Sequence, residues 1–159
     1  MKKITILGLA LLTAFGTLSC GKKDQKVDSK AQLIRTYVNR KDEAGNPVVT
    51  DAELKFTACP GDIRKVIRGG GPFAKCIAEK KAGEEMPVSV IRTLKRGGHH
   101  SVQVVSLGGC ERVPDISDSR SYDSYRICTE LKTDGILVGF HCEIGSSEEL
   151  VKACPFFAE

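Results

Sequence analysis

The sequence predicts an α+β domain in which a small antiparallel sheet of four to six strands carries two or three short helices and is stabilised by disulfides. Three features support this fold class. Residues 52–58 alternate between apolar and polar side chains, as a half-buried strand does. Gly97-Gly98 and Asp134-Gly135 each separate two β-rich segments, which indicates hairpins. Helix-capping residues, among them Asp62 and Ser146, precede short apolar runs.

Two strands are predicted in the first part of the domain. Residues 33–38 form the first, and turn chemistry at residues 42–47 follows it. The second covers residues 52–58. Its apolar face consists of Ala52, Leu54, Phe56 and Ala58, and its polar face of Glu53, Lys55 and Thr57. The alternation predicts that only the apolar face is buried.

Two short helices are expected after these strands. Asp62 can cap the first of them. Three apolar residues then recur at helical spacing: Ile63, Val66 and Ile67. The glycines at 69–71 would end this helix, and Pro72 fits the first position of the second, which Gly83 would close.

The first predicted hairpin joins residues 88–95 to residues 101–107. Gly97-Gly98 lies in its loop, where two-residue turns need positive φ. Counting outward from this loop pairs apolar residues with one another: Val88 with Leu107, Val90 with Val105, and Ile91 with Val104. The register is therefore self-consistent.

The second predicted hairpin joins residues 125–132 to residues 136–142 around Asp134-Gly135. A short helix is expected after it, because Ser146 and Glu149 have the spacing of a capping box. This helix would reach Cys154.

The N-terminus has the pattern of an export signal. Lys2 and Lys3 precede an uncharged apolar run at residues 4–15, which is too short for a stable membrane span. Residues 16–20, Gly-Thr-Leu-Ser-Cys, resemble the lipobox of bacterial lipoproteins, with Thr17 where leucine is usual. The resemblance implies cleavage before Cys20 and attachment of lipid, such as palmitate, to that cysteine. The alternative is an ordinary secretory signal that is cut after Gly16.

The resemblance also implies a domain organisation and a location. Residues 1–19 would be the lipoprotein signal peptide, residues 20–30 the lipidated cysteine with a flexible polar tether, and residues 31–159 a single extracytoplasmic domain. Gly21, rather than aspartate, follows Cys20, which favours the outer membrane over the inner membrane of the cell envelope. Whether the domain faces the periplasm or the cell surface stays open.

The cysteine count fits this interpretation. The chain has seven cysteines, so lipid on Cys20 leaves six for three disulfides: Cys59, Cys76, Cys110, Cys128, Cys142 and Cys154. The predicted pairs are Cys59–Cys76, Cys110–Cys128 and Cys142–Cys154, and the leading alternative has Cys110–Cys142 with Cys128–Cys154. A Cys128–Cys142 bridge is disfavoured, because the predicted hairpin register places Cys128 opposite His141.

Several function classes find no support in the sequence. The signal peptide removes two of the 24 basic residues, which leaves 22 against 20 acidic ones, and a net charge of +2 gives no case for nucleic acid. The run Gly69 to Ala74 imitates a dinucleotide motif, but a helix is predicted where that motif needs a preceding strand. The histidines, at His99, His100 and His141, and the aspartates, at Asp115, Asp118 and Asp123, match no metal-site spacing. No catalytic signature is found, so neither a catalytic residue, a metal nor a cofactor is predicted.

The prediction for function is a binding or envelope-assembly module that holds a protein partner at the membrane to which its N-terminal lipid attaches. Tyrosine and arginine are frequent interface anchors, so the candidate partner contacts are Arg120, Tyr122, Tyr125 and Arg126. Two alternatives stay open. The first is a small-ligand or ion-binding lipoprotein that uses the triple glycine or the histidines, and the second is an enzyme with an unfamiliar site.

Overall fold

A computed structural model of the chain describes residues 24–94, 97–114, 124–154 and 157. These residues form eight strands and two helices. The elements are β1 (Asp24–Lys41), β2 (Pro47–Phe56), β3 (Asp62–Gly70), α1 (Gly71–Ala78), β4 (Glu85–Leu94), β5 (His100–Leu107), β6 (Cys110–Glu111), β7 (Ser124–Thr133), β8 (Ile136–Ser146) and α2 (Ser147–Ala153). All strands belong to one antiparallel sheet in the order β6-β5-β4-β1-β2-β3-β7-β8.

The predicted α+β class, with four to six strands, is wrong. Strands make up 64% of the described residues and helices 13%. Two segments account for most of the difference. Residues 62–70 form a strand where a helix was predicted, and residues 24–30 pair with β4 where a tether was predicted.

The sequence pattern did not indicate the strand β3 because a buried lysine interrupts its apolar face. Ile63, Lys65 and Ile67 all point into the core, so the apolar alternation is interrupted at its centre. The Lys65 ammonium lies 4.7 Å from the centre of the Tyr125 ring, where a cation–π interaction stabilises its charge. Because the interruption leaves Ile63, Val66 and Ile67 at helical spacing, the segment imitates an amphipathic helix.

The predicted tether, residues 20–30, is wrong for residues 24–30. These residues are the first half of β1, and their backbone pairs with β4 from Asp24 opposite Thr93 to Gln32 opposite Glu85. Side chains on the two strands also bind each other, since the Ser89 hydroxyl donates to Asp28 over 2.5 Å. A polar segment thus forms a strand because a neighbouring strand supplies its hydrogen bonds. Residues 20–23 lie outside the described residues.

Both predicted hairpins form, and each contains a register shift. In the β4–β5 pair, Val88 lies opposite Leu107 as predicted, but Val90 lies opposite Val104 because β5 has one extra residue between these pairs. In the β7–β8 pair, Asp134 and Gly135 have φ angles of 51° and 80°, as a two-residue turn of this type requires.

The extra residue of β8 is Val138. Lys132 lies opposite Leu137, whereas Leu131 lies opposite Gly139. This bulge moves every later pair by one position, so that Cys128 lies opposite Cys142.

The helix signals have mixed outcomes. The capping box of α2 is confirmed, since the Ser146 hydroxyl accepts from the Glu149 amide and the Glu149 carboxylate accepts from the Ser146 amide. Pro72 lies in the first turn of α1, which begins one residue earlier at Gly71, and α1 ends at Ala78, ahead of Gly83. Of the described residues, neither helix has the length and apolarity that crossing a membrane as a helix would need.

The sheet curls around one apolar core, with α1 and α2 packed on its inner face. Arg112 shows this curvature. Its guanidinium donates to the carbonyls of Arg68 on β3 and Val104 on β5, each over 2.7 Å, although three strands separate β3 from β5 in the sheet order. The Tyr125 hydroxyl on β7 likewise donates to the Val102 carbonyl on β5 over 2.6 Å.

All six cysteines of the domain are paired, which confirms the prediction that they form disulfides. The partners are Cys59–Cys154, Cys76–Cys110 and Cys128–Cys142. The predicted partners are wrong in all three cases, and so is the alternative set. The bulge at Val138 explains the bridge within the second hairpin. The other two bridges depend on the packing of α1 beside β6 and of α2 beside the β2–β3 turn, which local sequence does not specify.

Candidate functional site

The outer face of the sheet, opposite the core, carries a cleft of about 490 Å³. We call it the outer cleft. Side chains from β1, β2, β3, β7 and β8 surround it. Its lining consists of Arg35, Tyr37, Asp51, Glu53, Val66, Tyr125, Arg126 and Ile144.

Glu53 is the central acidic group of the outer cleft. It lies on the polar face of β2, but only 2% of its surface is exposed because arginine side chains cover it. Its carboxylate accepts a hydrogen bond from Arg35 over 2.6 Å and lies 3.9 Å from Arg64. These two guanidiniums compensate the charge, which an isolated buried carboxylate could not keep without a large penalty.

The other acids of this face are also paired with arginine. Arg68 binds Asp51 through two hydrogen bonds of 2.6 and 2.7 Å. Arg64 binds Asp62 in the same bidentate manner, over 2.8 and 2.7 Å. The hydrogen bonds from Arg64, and then its charge, hold the pKa of Asp62 below its ordinary value, and the pKa of Arg64 is raised by the same contact. Fork-like pairs of this kind fix the arginines in place.

One arginine of the outer cleft has no acidic partner among the described residues. Arg126 is exposed on β7, directly opposite Arg64 on β3. Around the outer cleft, at positions 35, 51–55, 62–68 and 126, this face holds five basic side chains, Arg35, Lys55, Arg64, Arg68 and Arg126, against three acidic ones, Asp51, Glu53 and Asp62. The excess of positive charge is thus greatest at Arg126, where an anionic group would be attracted.

Apolar and aromatic side chains flank this charge. Ile144 on β8 is 78% exposed beside Arg126 in the lining of the outer cleft. The guanidinium of Arg35 lies 5.0 Å from the centre of the Tyr37 ring, and that of Arg64 lies 4.3 Å from the Phe140 ring. The site therefore combines a cation with rigid apolar walls.

The β7–β8 hairpin extends beyond the rest of the sheet. β3 pairs with β7 only from Arg126 to Cys128, so in the described part of the chain residues 129–133 of β7 pair with β8 alone. This projecting part exposes five large apolar side chains, Leu131, Ile136, Leu137, Val138 and Phe140. Contiguous exposed apolar surface is typical of a region that contacts another molecule.

The chain matches no protein-family model, no curated protein and no solved structure. The geometry of the outer cleft and of the projecting hairpin is therefore the basis for the functional proposal.

The four predicted partner contacts have different outcomes. Arg126 lies in the outer cleft, where a partner can reach it. Tyr125 is wrong as a partner contact, because it is 1% exposed and its ring packs among core residues next to Phe56. Arg126, the next residue of β7, faces outward because adjacent residues of a strand point to opposite faces. Arg120 and Tyr122 lie outside the described residues, as does Cys20.

Two of the three histidines each lie beside a glutamate. His99 contacts the carboxylate of Glu148 on α2, and this hydrogen bond lowers the pKa of that glutamate. His141 lies 3.6 Å from Glu143 on the same strand. Within the described residues, no three potential metal ligands of the His, Cys, Asp or Glu type are grouped together.

The triple glycine was predicted to be a corner between two helices, and this is wrong. It connects strand β3 to helix α1. A strand therefore does precede this motif, but β4, which follows α1, pairs with β1 in an antiparallel arrangement and forms no βαβ unit. Gly69 has a packing role, since a Cβ atom there would lie 2.2 Å from the Phe73 ring.

Sequence reasoning missed most residues of the outer cleft. Arg64, Val66 and Arg68 alternate with core residues of β3. They lie opposite Lys55, Glu53 and Asp51 respectively, which would have been visible had residues 62–70 been interpreted as a strand. The missed signal was that arginines recur at every fourth position of β3, on the same face as the acids that recur at every second position of β2. The predicted helix removed this pairing from consideration.

Proposed function

We propose that the protein is a lipid-anchored binding module of the cell envelope and that the outer cleft holds an acidic segment of a protein partner. The observation that carries this proposal is Arg126, an exposed cation without an acidic partner in the described chain, set beside the apolar wall of Ile144. Arginine and tyrosine are the residue types that most often dominate binding energy at protein interfaces.

The chemistry of the partner follows from the charges of the outer cleft. Asp51, Glu53 and Asp62 are already compensated by Arg68, Arg35 and Arg64. A basic segment would find no free carboxylate among them, whereas a glutamate or aspartate can form a charge-assisted pair with Arg126. Apolar side chains next to that acid would contact Ile144 and Phe140.

The anchor in this proposal is the lipid on Cys20, and the favoured location is the outer membrane. Its support is the signal pattern of residues 1–20 together with the cysteine count, because the six other cysteines are all paired. Stable attachment takes more than one acyl chain. The intact mass of protein extracted from envelopes should equal that of residues 20–159 plus lipid. An unmodified chain beginning at Thr17 would contradict the anchor and leave the outer cleft unaffected.

Arg126→Glu should weaken binding of an acidic probe by about tenfold or more, because a charge-assisted pair is replaced by like-charge repulsion. The probe is a short fluorescent peptide of alternating glutamate and valine, and its binding to the full chain is measured by polarisation. A lysine–valine peptide should bind the wild type far less well. High salt should reduce binding of the acidic peptide, since Arg126 is exposed.

Lys152→Glu is the matched control, because it makes the same charge reversal on an exposed residue of α2. It should leave affinity for the acidic peptide unchanged. Equal losses in both variants would mean that only net charge matters, and unchanged binding by Arg126→Glu would rule out the outer cleft.

The volume of the outer cleft favours one second candidate, which is a small anionic ligand. Its size of about 490 Å³ lies within the range of small-molecule sites. A thermal-shift screen of phosphate, nucleotides and aliphatic carboxylates against the full chain separates the two functions. A shift that Arg126→Glu abolishes would favour the small ligand, and no shift with any compound would remove this candidate.

A further inference from the structure

The two edges of the sheet differ in how well they are protected from pairing with another strand. β6 at one edge has only two residues and is joined to α1 by the Cys76–Cys110 bridge. β8 at the other edge has eleven residues, and in the described part of the chain it pairs only with β7. Short length is a common protection of edge strands, and β8 lacks it.

The composition of β8 provides little further protection. Lysine and proline usually discourage pairing at an edge, and Ile136–Ser146 contains neither. Its one carboxylate is Glu143. The bulge at Val138 lies close to the hairpin turn, so residues 139–145 form a regular strand whose outer edge has no further strand in the described part of the chain.

The sequence of this regular part is complementary to itself. Residues 139–145 are Gly-Phe-His-Cys-Glu-Ile-Gly. In an antiparallel pair centred on Cys142, Phe140 faces Ile144 of the second copy and His141 faces Glu143 of the second copy. Gly139 then faces Gly145. Aromatic with β-branched, and imidazole with carboxylate, are favourable cross-strand pairs.

The backbone has the hydrogen-bond phase that this pairing needs. The Cα atoms of Cys128 and Cys142 are 4.1 Å apart. Directly opposed residues that exchange no backbone hydrogen bonds are about 4.5 Å apart, and those that do are about 5.5 Å apart. The N–H and C=O of Cys142 therefore point away from β7, toward the free edge, and those of Phe140 and Ile144 do the same.

We propose that β8 pairs antiparallel with β8 of a second copy about a two-fold axis at Cys142, which joins two eight-stranded sheets into one. Phe140, Cys142 and Ile144 exchange backbone hydrogen bonds across the axis. His141 and Glu143 occupy the closer, non-hydrogen-bonded positions, where their side chains meet. Phe140 and Ile144, which are 41% and 78% exposed in one chain, cover each other. This inference does not rest on the proposed function, because it is argued from β8 alone. The pairing would nevertheless cover Phe140 and Ile144, so it would compete with apolar side chains of a partner at the outer cleft.

The test uses charge reversal across the axis. The full chain is expressed with two different tags, extracted in detergent, and captured through one tag, and the second tag is quantified. His141→Glu places carboxylates opposite one another twice per dimer, and Glu143→Lys replaces the carboxylate that faces each imidazole with an ammonium, so each variant should reduce co-capture with itself about tenfold. When one tagged copy carries Glu143→Lys and the other His141→Glu, the introduced amine faces the introduced carboxylate and co-capture should recover.

Glu130→Lys is the matched control, because Glu130 is exposed in the same hairpin but lies on β7, away from the free edge. It should leave co-capture at the wild-type value. Recovery in the mixed pair also shows that both variants fold. A wild-type chain that fails to co-capture itself would overturn the proposal, and so would co-capture that neither reversal changes. Binding of the acidic peptide to the outer cleft is measured separately, so that failure of one proposal is distinguishable from failure of the other.

Discussion

Replacing Cys59 and Cys154 together by alanine should lower the free energy of unfolding by about 4–5 kcal/mol, because this bridge closes a loop of nearly a hundred residues in the unfolded chain. The two cysteines are separated by 95 positions and both are buried. The bridge fixes the end of α2 beside the turn between β2 and β3. Urea unfolding followed by circular dichroism gives the value.

Replacing Cys128 and Cys142 by alanine is the internal comparison. This bridge spans 14 positions and closes a much smaller loop, so the loss should be about 3 kcal/mol. It also lies in a hairpin that the β7–β8 ladder already aligns. Equal losses for the two double variants would contradict the loop-length argument, and an unchanged stability of both would contradict the pairing itself.

Arg112→Met should destabilise the fold by at least about 3 kcal/mol, because it leaves two carbonyl groups without their charged donor. The guanidinium of Arg112 binds the Arg68 and Val104 carbonyls and is almost completely buried. Methionine retains much of the volume, so the change mainly removes hydrogen bonds. Equilibrium unfolding in urea measures the loss.

Arg126→Met is the control, because it removes an exposed arginine and so measures the effect of losing an arginine without losing buried hydrogen bonds. Arg126 is exposed and has no ion pair among the described residues, so its replacement should change stability by less than about 0.5 kcal/mol. If the two variants unfolded at the same urea concentration, the hydrogen bonds from Arg112 to the Arg68 and Val104 carbonyls would contribute nothing measurable to the stability of the fold.

Local signals in the sequence were reliable where the structure is also determined locally. The Asp134-Gly135 turn needs only positive φ at two positions, and the Ser146–Glu149 capping box needs only hydrogen bonds within one turn. The core face of β2 was likewise predicted from alternation, because Ala52, Leu54 and Phe56 are all buried, although Ala58, predicted on the same face, is exposed beyond the end of β2. Each of these features depends on neighbours in sequence.

Features that depend on distant partners could not be predicted in this way. Lys65 is tolerated in the core because Tyr125, on another strand, presents its ring to the ammonium. Residues 24–30 form a strand because β4 is beside them. The bulge at Val138 shifts the register by one, which moves Cys142 opposite Cys128. Counting residues from the turn had placed His141 there.

The candidate site illustrates the same limit. Arg126 was selected for its residue type and is exposed at the outer cleft, and its role as a partner contact stays a prediction. The arginines and acids around it come from β1, β2 and β3, so the outer cleft exists only after these strands are aligned. A sequence interpretation that replaced β3 with a helix could not assemble it.

The length and starting point of β1 have a consequence for how far the molecule stands from a bilayer. If Cys20 carries lipid, only three residues separate it from Asp24, and the fully extended backbone between them spans at most about 14 Å. Eleven further positions lead to Arg35, which places the outer cleft up to about 36 Å along the strand. β1 would then hold the ligand of the outer cleft within a limited distance of the lipid headgroups, which a long flexible tether would not do.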